Sequence, residues 1–243
     1  MWLAAQGQGL IARADGEHGK LDELARTQHA APMRILIIGA SQGTGAEAAK
    51  NALERGHAVT AFARNPQRLA LEHEHLTRVQ GDFHQAESVA KAVPGHDAVI
   101  ITASAIKFKA FKENPNYFSL GTRYTIDAMK AHGVKRLSVL SALGTGESRK
   151  LMGWLLDKVM ISWLLKAPFQ DHERQERLVM DSGLDWVIAR PGRLTNGPAR
   201  KSYVTETEVK PIPKSISRAD VADFLVRAAT EDRWLHRAVQ IGG

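Results

Sequence analysis

Gly39, Gly43 and Gly45 fall within GASQGTG, directly after the apolar run Ile35 to Ile38 and directly before an alanine-rich stretch. Strand, glycine-rich turn and helix, in that order, let backbone N–H groups close on a pyrophosphate, with the positive end of the helix facing the charge. The spacing is G-x-x-x-G-x-G, not the commoner G-x-G-x-x-G, so the signal lies in its place between a strand and a helix. A plain strand-to-helix turn of an α/β domain is the other reading.

Two arginines stand at a second break. Arg64 and Arg68 follow the run Ala58 to Ala63 and lie about one turn apart. In a dinucleotide-binding unit the end of the second strand meets the adenosine ribose, where an acidic residue hydrogen-bonds the 2′-hydroxyl of NAD. A guanidinium offers a planar fork of donors suited to the 2′-phosphate of NADP. The expected cofactor is therefore NADP(H) in preference to NAD(H). At the third break, GDF, Asp82 can accept from an adenine amino group and Phe83 can supply a backbone donor; a turn with an Asp cap explains the same residues. Ser119 and His172 are the candidates for catalysis, the first to orient a substrate and the second to donate a proton. Each has a structural alternative: a helix-turn serine bonding its own backbone, and a capping or surface histidine.

The elements that would position these groups follow from periodicity. Strands are expected at Ala58 to Ala63, Leu76 to Gln80, Ala98 to Thr102, Arg136 to Ser141, Asp185 to Ala189 and Ala238 to Ile241, after the first at Ile35 to Ile38. A small strand at Tyr203 to Thr207 is expected on the substrate side. Helices are expected at 45–55, 85–93, 117–131, 150–166, 171–180 and 218–229. Gly56, Pro94-Gly95, Gly133 and Pro168 are the stops, and Ser217 with Asp220 forms a capping box. Phe118, Ile126 and Met129 are expected to pack inward. The 105–116 loop carries Lys107, Lys109 and Lys112 as solvated residues. The 150–166 helix, with Trp154 and Trp163, reads as a core or interface helix. Alternation of strands and helices implies a doubly wound parallel α/β sheet of about seven strands with right-handed crossovers. Every flagged segment lies at a strand end: 39–45, 64–68, 81–83, 102–104, 141–144 and 190–193. Ligands in such sheets bind outside the carboxyl ends of the strands, so this coincidence says more than any one motif.

The 243 residues are enough for one large domain or two small ones, with a sizeable core. The absence of cysteine excludes disulfides, thiol catalysis and cysteine metal sites, and fits a cytoplasmic location. The net charge of +7 comes from scattered basic residues, which argues for a generally basic surface and not for nucleic-acid binding. No apolar run reaches the roughly 18–20 residues of a membrane span. The ten histidines are scattered, and no cluster suggests a metal site. Residues 1–32 read as a poorly ordered appendage, with a possible short helix at Leu21 to Thr27. Met33 then opens the folded domain, with a small substrate lobe from about 145 to 215.

Together these segments resemble the atypical short-chain dehydrogenase/reductase family. The matching motifs are GASQGTG at 39–45, FARNP at 62–66, GDF at 81–83, AHGVKRLSVLS at 131–141, SGLDWVIARPGRL at 182–194 and ISRADVADFL at 216–225. Within it the chain is most similar to the NAD(P)H-binding group of biliverdin/flavin reductases and NmrA-like proteins. The resemblance implies a Rossmann sheet and a set of contacts. The glycine loop, with Ser41, Gln42 and Thr44, would hold the pyrophosphate. Arg64 and Arg68 would take the 2′-phosphate, and Asp82 and Phe83 the adenine. Ala103 and Ser104 would lie along the ribose, Ser141 and Ala142 near the nicotinamide ribose, and Pro191, Gly192 and Arg193 beside the nicotinamide. Ser119 and His172 match a serine and a histidine at the substrate site of the flavin reductases.

One departure narrows the chemistry. Typical members use Tyr-x-x-x-Lys, the lysine lowering the tyrosine pKa for proton transfer to a carbonyl. Here Tyr117, Tyr124 and Tyr203 are followed four residues on by Gly121, Ala128 and Thr207, and Lys166 is preceded by Ser162. The expectation is an NADPH-dependent reductase of a flavin, quinone or similar conjugated acceptor, as a monomer or homodimer. The alternative is a non-catalytic NADP(H)-binding sensor; a nucleotide-sugar epimerase or dehydratase fits less well.

Overall fold

The computed structural model describes residues 31–103, 114–152 and 166–243. The chain divides into Met1–Pro32 and Met33–Gly243, and the second unit carries the fold below. Residues 1–30, Ser104 with the loop to 113, and 153–165 lie outside the described residues. With them go the N-terminal arm, the Leu21 to Thr27 helix, the three loop lysines and both Trp154 and Trp163.

Strands and helices alternate along the chain: β1 (Arg34–Ile38), α1 (Gly43–Glu54), β2 (Ala58–Ala63), β3 (Leu76–Gln80), α2 (Ala86–Ala92), β4 (Ala98–Ile101), α3 (Tyr117–Ala131), β5 (Arg136–Leu140), α4 (Lys166–Met180) and β6 (Asp185–Pro191). Short strands β7 (Arg193–Thr195), β8 (Val204–Glu206) and β9 (Ser215–Ser217) precede α5 (Arg218–Thr230) and β10 (Arg237–Gly242). The main sheet runs β3-β2-β1-β4-β5-β6-β10-β8. Its first seven strands are parallel, and β8 closes the edge antiparallel to β10. The strand expected on the substrate side is thus an edge strand of the main sheet. The lobe instead contributes a separate parallel pair, β7 with β9.

Strand β1 shows why the sheet is covered on both faces. Successive side chains of a strand point to opposite sides. Ile35 and Ile37 join the core formed with Ala48, Ala52 of α1 and Phe224, Leu225 of α5. Leu36 and Ile38 join the other, with Val89 of α2, Ile126 and Met129 of α3, and Val179 of α4. All four are buried to 1% exposure or less, each side chain contributing about 1.5–3 kcal/mol by its removal from water. A strand buried on both sides reads as an unbroken apolar run, as RILII does.

Helix boundaries follow local chemistry. Ser217 caps α5: its Oγ accepts from the Asp220 N–H at 2.9 Å and donates to Asp220 Oδ2 at 2.7 Å, the expected capping box. Pro168, expected to close a preceding helix, lies within α4 (Lys166–Met180), and the residues of the expected helix from 153 to 165 lie outside the described residues. The start of the expected 150–166 helix lies in a 3-10 turn, Gly146–Met152. Among the described residues no helix is long and apolar enough to cross a membrane.

Candidate functional site

The strand order reverses between β1 and β4, and there the two chain segments that leave the sheet converge. Gly39 follows β1 with φ +94°, and a Cβ on it would stand 2.8 Å from the backbone N of Ala103, just beyond β4. Its N–H donates to Phe62 O at 2.9 Å, tying the turn to β2. A Cβ on Gly45 would collide with the Gly39 carbonyl and stand 2.5 Å from Thr102 Oγ1. That hydroxyl is itself fixed on Ile38 O at 2.9 Å. Both positions therefore require glycine, for close approach of backbone to backbone.

The turn ends in a helix with its positive end open. Gln42 holds the N-cap position in an extended conformation, with no side-chain cap and no acidic residue in the first turn. Gln42 and Gly43 are exposed and Ser41 is half-buried, whereas Thr44 and Gly45 are buried beneath them. Free first-turn N–H groups and the aligned peptide dipoles make this end a place for an anion. The residues fit a dinucleotide diphosphate: the helix end is left without a side-chain cap, and its first turn brings no negative charge of its own.

Arg64 and Arg68 are both exposed after β2, with a 3-10 turn at Pro66–Arg68 between them. Arg64 and Asp82 both act electrostatically on Tyr117, the first residue of α3, whose pKa burial chiefly raises. The Asp82 carboxylate accepts from the His84 N–H at 2.9 Å, and its own N–H donates to Ser88 Oγ at 3.0 Å. It is thus a turn-forming aspartate, half-buried at the end of β3. Phe83 is buried, its ring lying where a Cβ on Gly121 of α3 would stand, 2.5 Å from Cδ1. Ala103 is half-buried, and Ser104 is outside the described residues.

Beyond β5 and β6 the carboxyl end of the sheet holds a buried ionic network. Arg190, 2% exposed, is the most voluminous of the fully buried side chains. Its Nη2 lies 2.7 Å from Glu176 Oε2, its Nε 3.0 Å from Glu176 Oε1, and its Nη1 2.9 Å from Glu147 Oε1. Burial opposes the guanidinium charge, but the two carboxylates outweigh it and raise the pKa. Arg190 in turn holds the Glu147 carboxyl below its usual range. Gly146, at φ +55°, allows this approach, since a Cβ there would be 3.0 Å from Arg190 Nη2. Ser141, expected near the nicotinamide ribose, donates its hydroxyl to Glu176 Oε1 at 2.7 Å. Ala142 is half-buried beside it, Pro191 is buried, and Arg193 is exposed where β7 pairs with β9. A Cβ on Gly192 would stand 2.6 Å from Lys214 O.

The two catalytic candidates, 53 residues apart in the chain, meet where α3 packs on α4. Asp171, fully buried, accepts from the Phe118 N–H at 2.5 Å and the Ser119 N–H at 3.4 Å through Oδ2, and from Ser119 Oγ at 2.5 Å through Oδ1. A carboxylate of α4 thus caps the N-terminus of α3. Ser119 is buried and its hydroxyl proton goes to Asp171, not to its own backbone carbonyl. His172 stacks on Phe118, ring centroids 3.9 Å apart and planes 17° from parallel. Its Nδ1 is 2.9 Å from Gln175 Oε1, and Gln175 Nε2 donates to Thr122 Oγ1 at 2.9 Å. With the amide so oriented, the Gln175 oxygen favours a proton on His172 Nδ1. Burial lowers its pKa.

Sequence reasoning missed Asp171, Glu176 and Glu147. A signal existed for the two glutamates: Arg190 directly follows the apolar run Trp186 to Ala189, and a buried guanidinium requires a carboxylate partner.

Residues 39–232 match a protein family described as NAD(P)H-binding. A chloroplastic protein of Arabidopsis thaliana is 28% identical over 222 residues, covering 81% of this chain and 65% of its own length. The chain thus spans just under two thirds of that relative. Among solved structures, the anaerobillin reductase ChuY of Escherichia coli O157:H7 superposes with a TM-score of 0.71 at 22% identity, covering 86% of this chain and 96% of that one. A short-chain dehydrogenase/reductase of Veillonella parvula, solved with NADP, gives a TM-score of 0.71 at 18% identity, covering 86% and 94%.

Proposed function

The chain belongs to this NAD(P)H-binding family, and we propose that it is an NADPH-dependent reductase of a flavin, a quinone or a similar conjugated small molecule. The observation that carries the reading is the partner of Ser141. At the end of β5 its hydroxyl is bonded to Glu176, and no tyrosine occupies that place. Tyr117 opens α3 next to His84, Tyr124 lies mid-helix in α3, and Tyr203 donates to Asp223 at 2.7 Å. Each lacks the lysine four residues on that would lower its pKa, and burial raises that of Tyr117 and Tyr203 instead.

A bound nicotinamide supplies a hydride. A conjugated acceptor can take it directly and collect its proton from solvent, so a protein-held acid is not required. In this reading the glycine turn and the open end of α1 hold the diphosphate. Arg64 and Arg68 fork onto the 2′-phosphate, as in a protein selective for NADPH, and the Veillonella protein's bound NADP supports that choice. Asp82 and Phe83 border the adenine, Ala103 and Ser104 the ribose, and Ser141, Ala142 and Pro191 to Arg193 the nicotinamide end. Glu176 keeps the Ser141 proton, which leaves that oxygen to accept from a ribose hydroxyl. Ser119 and His172 line the acceptor side as orienting groups.

The test is NADPH oxidation followed with FMN, quinones and simple carbonyl compounds in parallel. Turnover with the first two, and little with carbonyls, is the expected result. Micromolar NADPH binding without turnover on any acceptor would make the protein a sensor of NADP(H).

A further inference from the structure

Arg218 opens α5, where a cation meets the positive end of its own helix, an unfavourable place for it. The guanidinium does not fold away from that end. Its Nη1 donates to Asn196 Oδ1 at 2.6 Å, and its Nε would stand 3.7 Å from a Cβ on Gly43. Among the described residues Arg218 forms no ion pair. Helix α5 packs along α1, so two helix N-termini and one guanidinium converge beside the exposed Gly43.

The segment that carries Asn196 is strapped to the same place. Asp220 Oδ1 accepts from the backbone N–H groups of both Arg200 and Lys201 at 2.8 Å, and Ser217 locks the same carboxylate through Oδ2. Asn196 follows β7 directly, so the strap runs from the nicotinamide end of the site to its phosphate turn. We propose that Arg218 holds a diphosphate oxygen of the bound dinucleotide from the lobe side, opposite the backbone N–H groups of the glycine turn, and that Asn196 aims it. The arrangement answers an electrostatic need. A diphosphate carries two negative charges, and the turn offers only dipoles to meet them.

This inference rests on the family's NAD(P)H binding but not on the choice between NADP and NAD, because the diphosphate is common to both. That fact supplies the test. Calorimetric titration of the full chain with NADPH and with NADH is compared for the parent protein, Arg218→Ala and Asn196→Ala, together with the melting temperature of each protein without cofactor. Arg218→Ala is expected to weaken both cofactors by about tenfold to hundredfold, leaving their ratio unchanged. Asn196→Ala is expected to weaken both by a smaller factor, and all cofactor-free melting temperatures stay within a few degrees. Unchanged affinities in Arg218→Ala would overturn the proposal. So would a loss confined to NADPH, which would assign Arg218 to the 2′-phosphate. If the parent protein binds neither nucleotide, the cofactor reading fails as a whole, and the Arg218 role with it.

Discussion

Ser119 Oγ donates to Asp171 Oδ1 at 2.5 Å, and the same carboxylate receives the Phe118 and Ser119 N–H groups at the start of α3. One fully buried acid therefore satisfies three donors of a neighbouring helix. Removing it strands all of them, whereas removing the serine hydroxyl leaves the carboxylate with its two N–H partners and with Arg174 Nη2, 3.3 Å from Oδ1. Asp171→Ala should lower the unfolding free energy by about 2–3 kcal/mol and Ser119→Ala by about 1 kcal/mol or less. Urea denaturation of the two variants checks the order.

The Glu176–Arg190 pair differs from the Arg190–Glu147 pair in depth. Glu176 is 3% exposed, while the Glu147 side chain is 58% exposed. An unpaired buried charge is costly, and an exposed partner contributes little. Glu176→Ala should cost about 3–5 kcal/mol and Glu147→Ala about 0–1 kcal/mol. The double variant Glu176→Leu with Arg190→Met should recover much of the first loss. The Glu147 contribution has a sign in pH. Its folded pKa lies below the ordinary 4.5, so the stabilisation is full above 4.5 and fades as pH falls through the folded value.

How far the sequence revealed this molecule depends on the range of the interaction concerned. Strand β1 and its glycine turn are local: an apolar run and three glycines fix both, and they appear where RILII and GASQGTG put them. The same holds for α3, bounded by Asn116 and His132. Ser119 and His172 were each singled out, but Asp171, which receives the serine proton, was read only as the start of a helix. No periodicity announces that α4 will lie on α3 so that residue 171 meets residue 119.

Burial lowers the pKa of His172 below its ordinary 6.5, and this has a thermodynamic consequence. Between the folded value and 6.5 the unfolded chain binds more protons at this residue than the folded one. Stability must therefore rise with pH across that window and level off above 6.5. Melting temperatures from pH 5 to 8 should show the rise in the parent protein, and His172→Gln should flatten it.

Arg64 can be tested apart from the phosphate turn, because it is exposed at the end of β2, where the proposed function puts the 2′-phosphate. A guanidinium on a phosphate makes charge-assisted hydrogen bonds of about 1.5–3 kcal/mol. Arg64→Ala should weaken NADPH by about tenfold to hundredfold and change NADH by less than threefold. Equal loss for both cofactors would move Arg64 away from the 2′-phosphate.

Gly43 and Gly45 stand two residues apart in the same turn, yet alanine should act on them in opposite ways. At Gly45 the added Cβ would press on the Gly39 carbonyl and on Thr102 Oγ1, which anchor the β1–β4 switch point. Neither neighbour is the free end of a flexible side chain, so the backbone itself must move. Gly45→Ala should destabilise the fold by several kcal/mol, as close-approach clashes in packed interiors do, and should lower the yield of soluble protein. At Gly43 the Cβ would meet only Arg218 Nε and Cδ, at 3.7 and 3.8 Å, an ordinary contact distance. The cost is the positive φ of 59°, about 1 kcal/mol, in an exposed first turn. Gly43→Ala should therefore melt close to the parent protein but bind either dinucleotide less tightly, because the methyl group occupies the approach to the diphosphate. Thermal melts and titrations on the two variants separate these outcomes: one glycine is required by the fold, the other by what the fold holds.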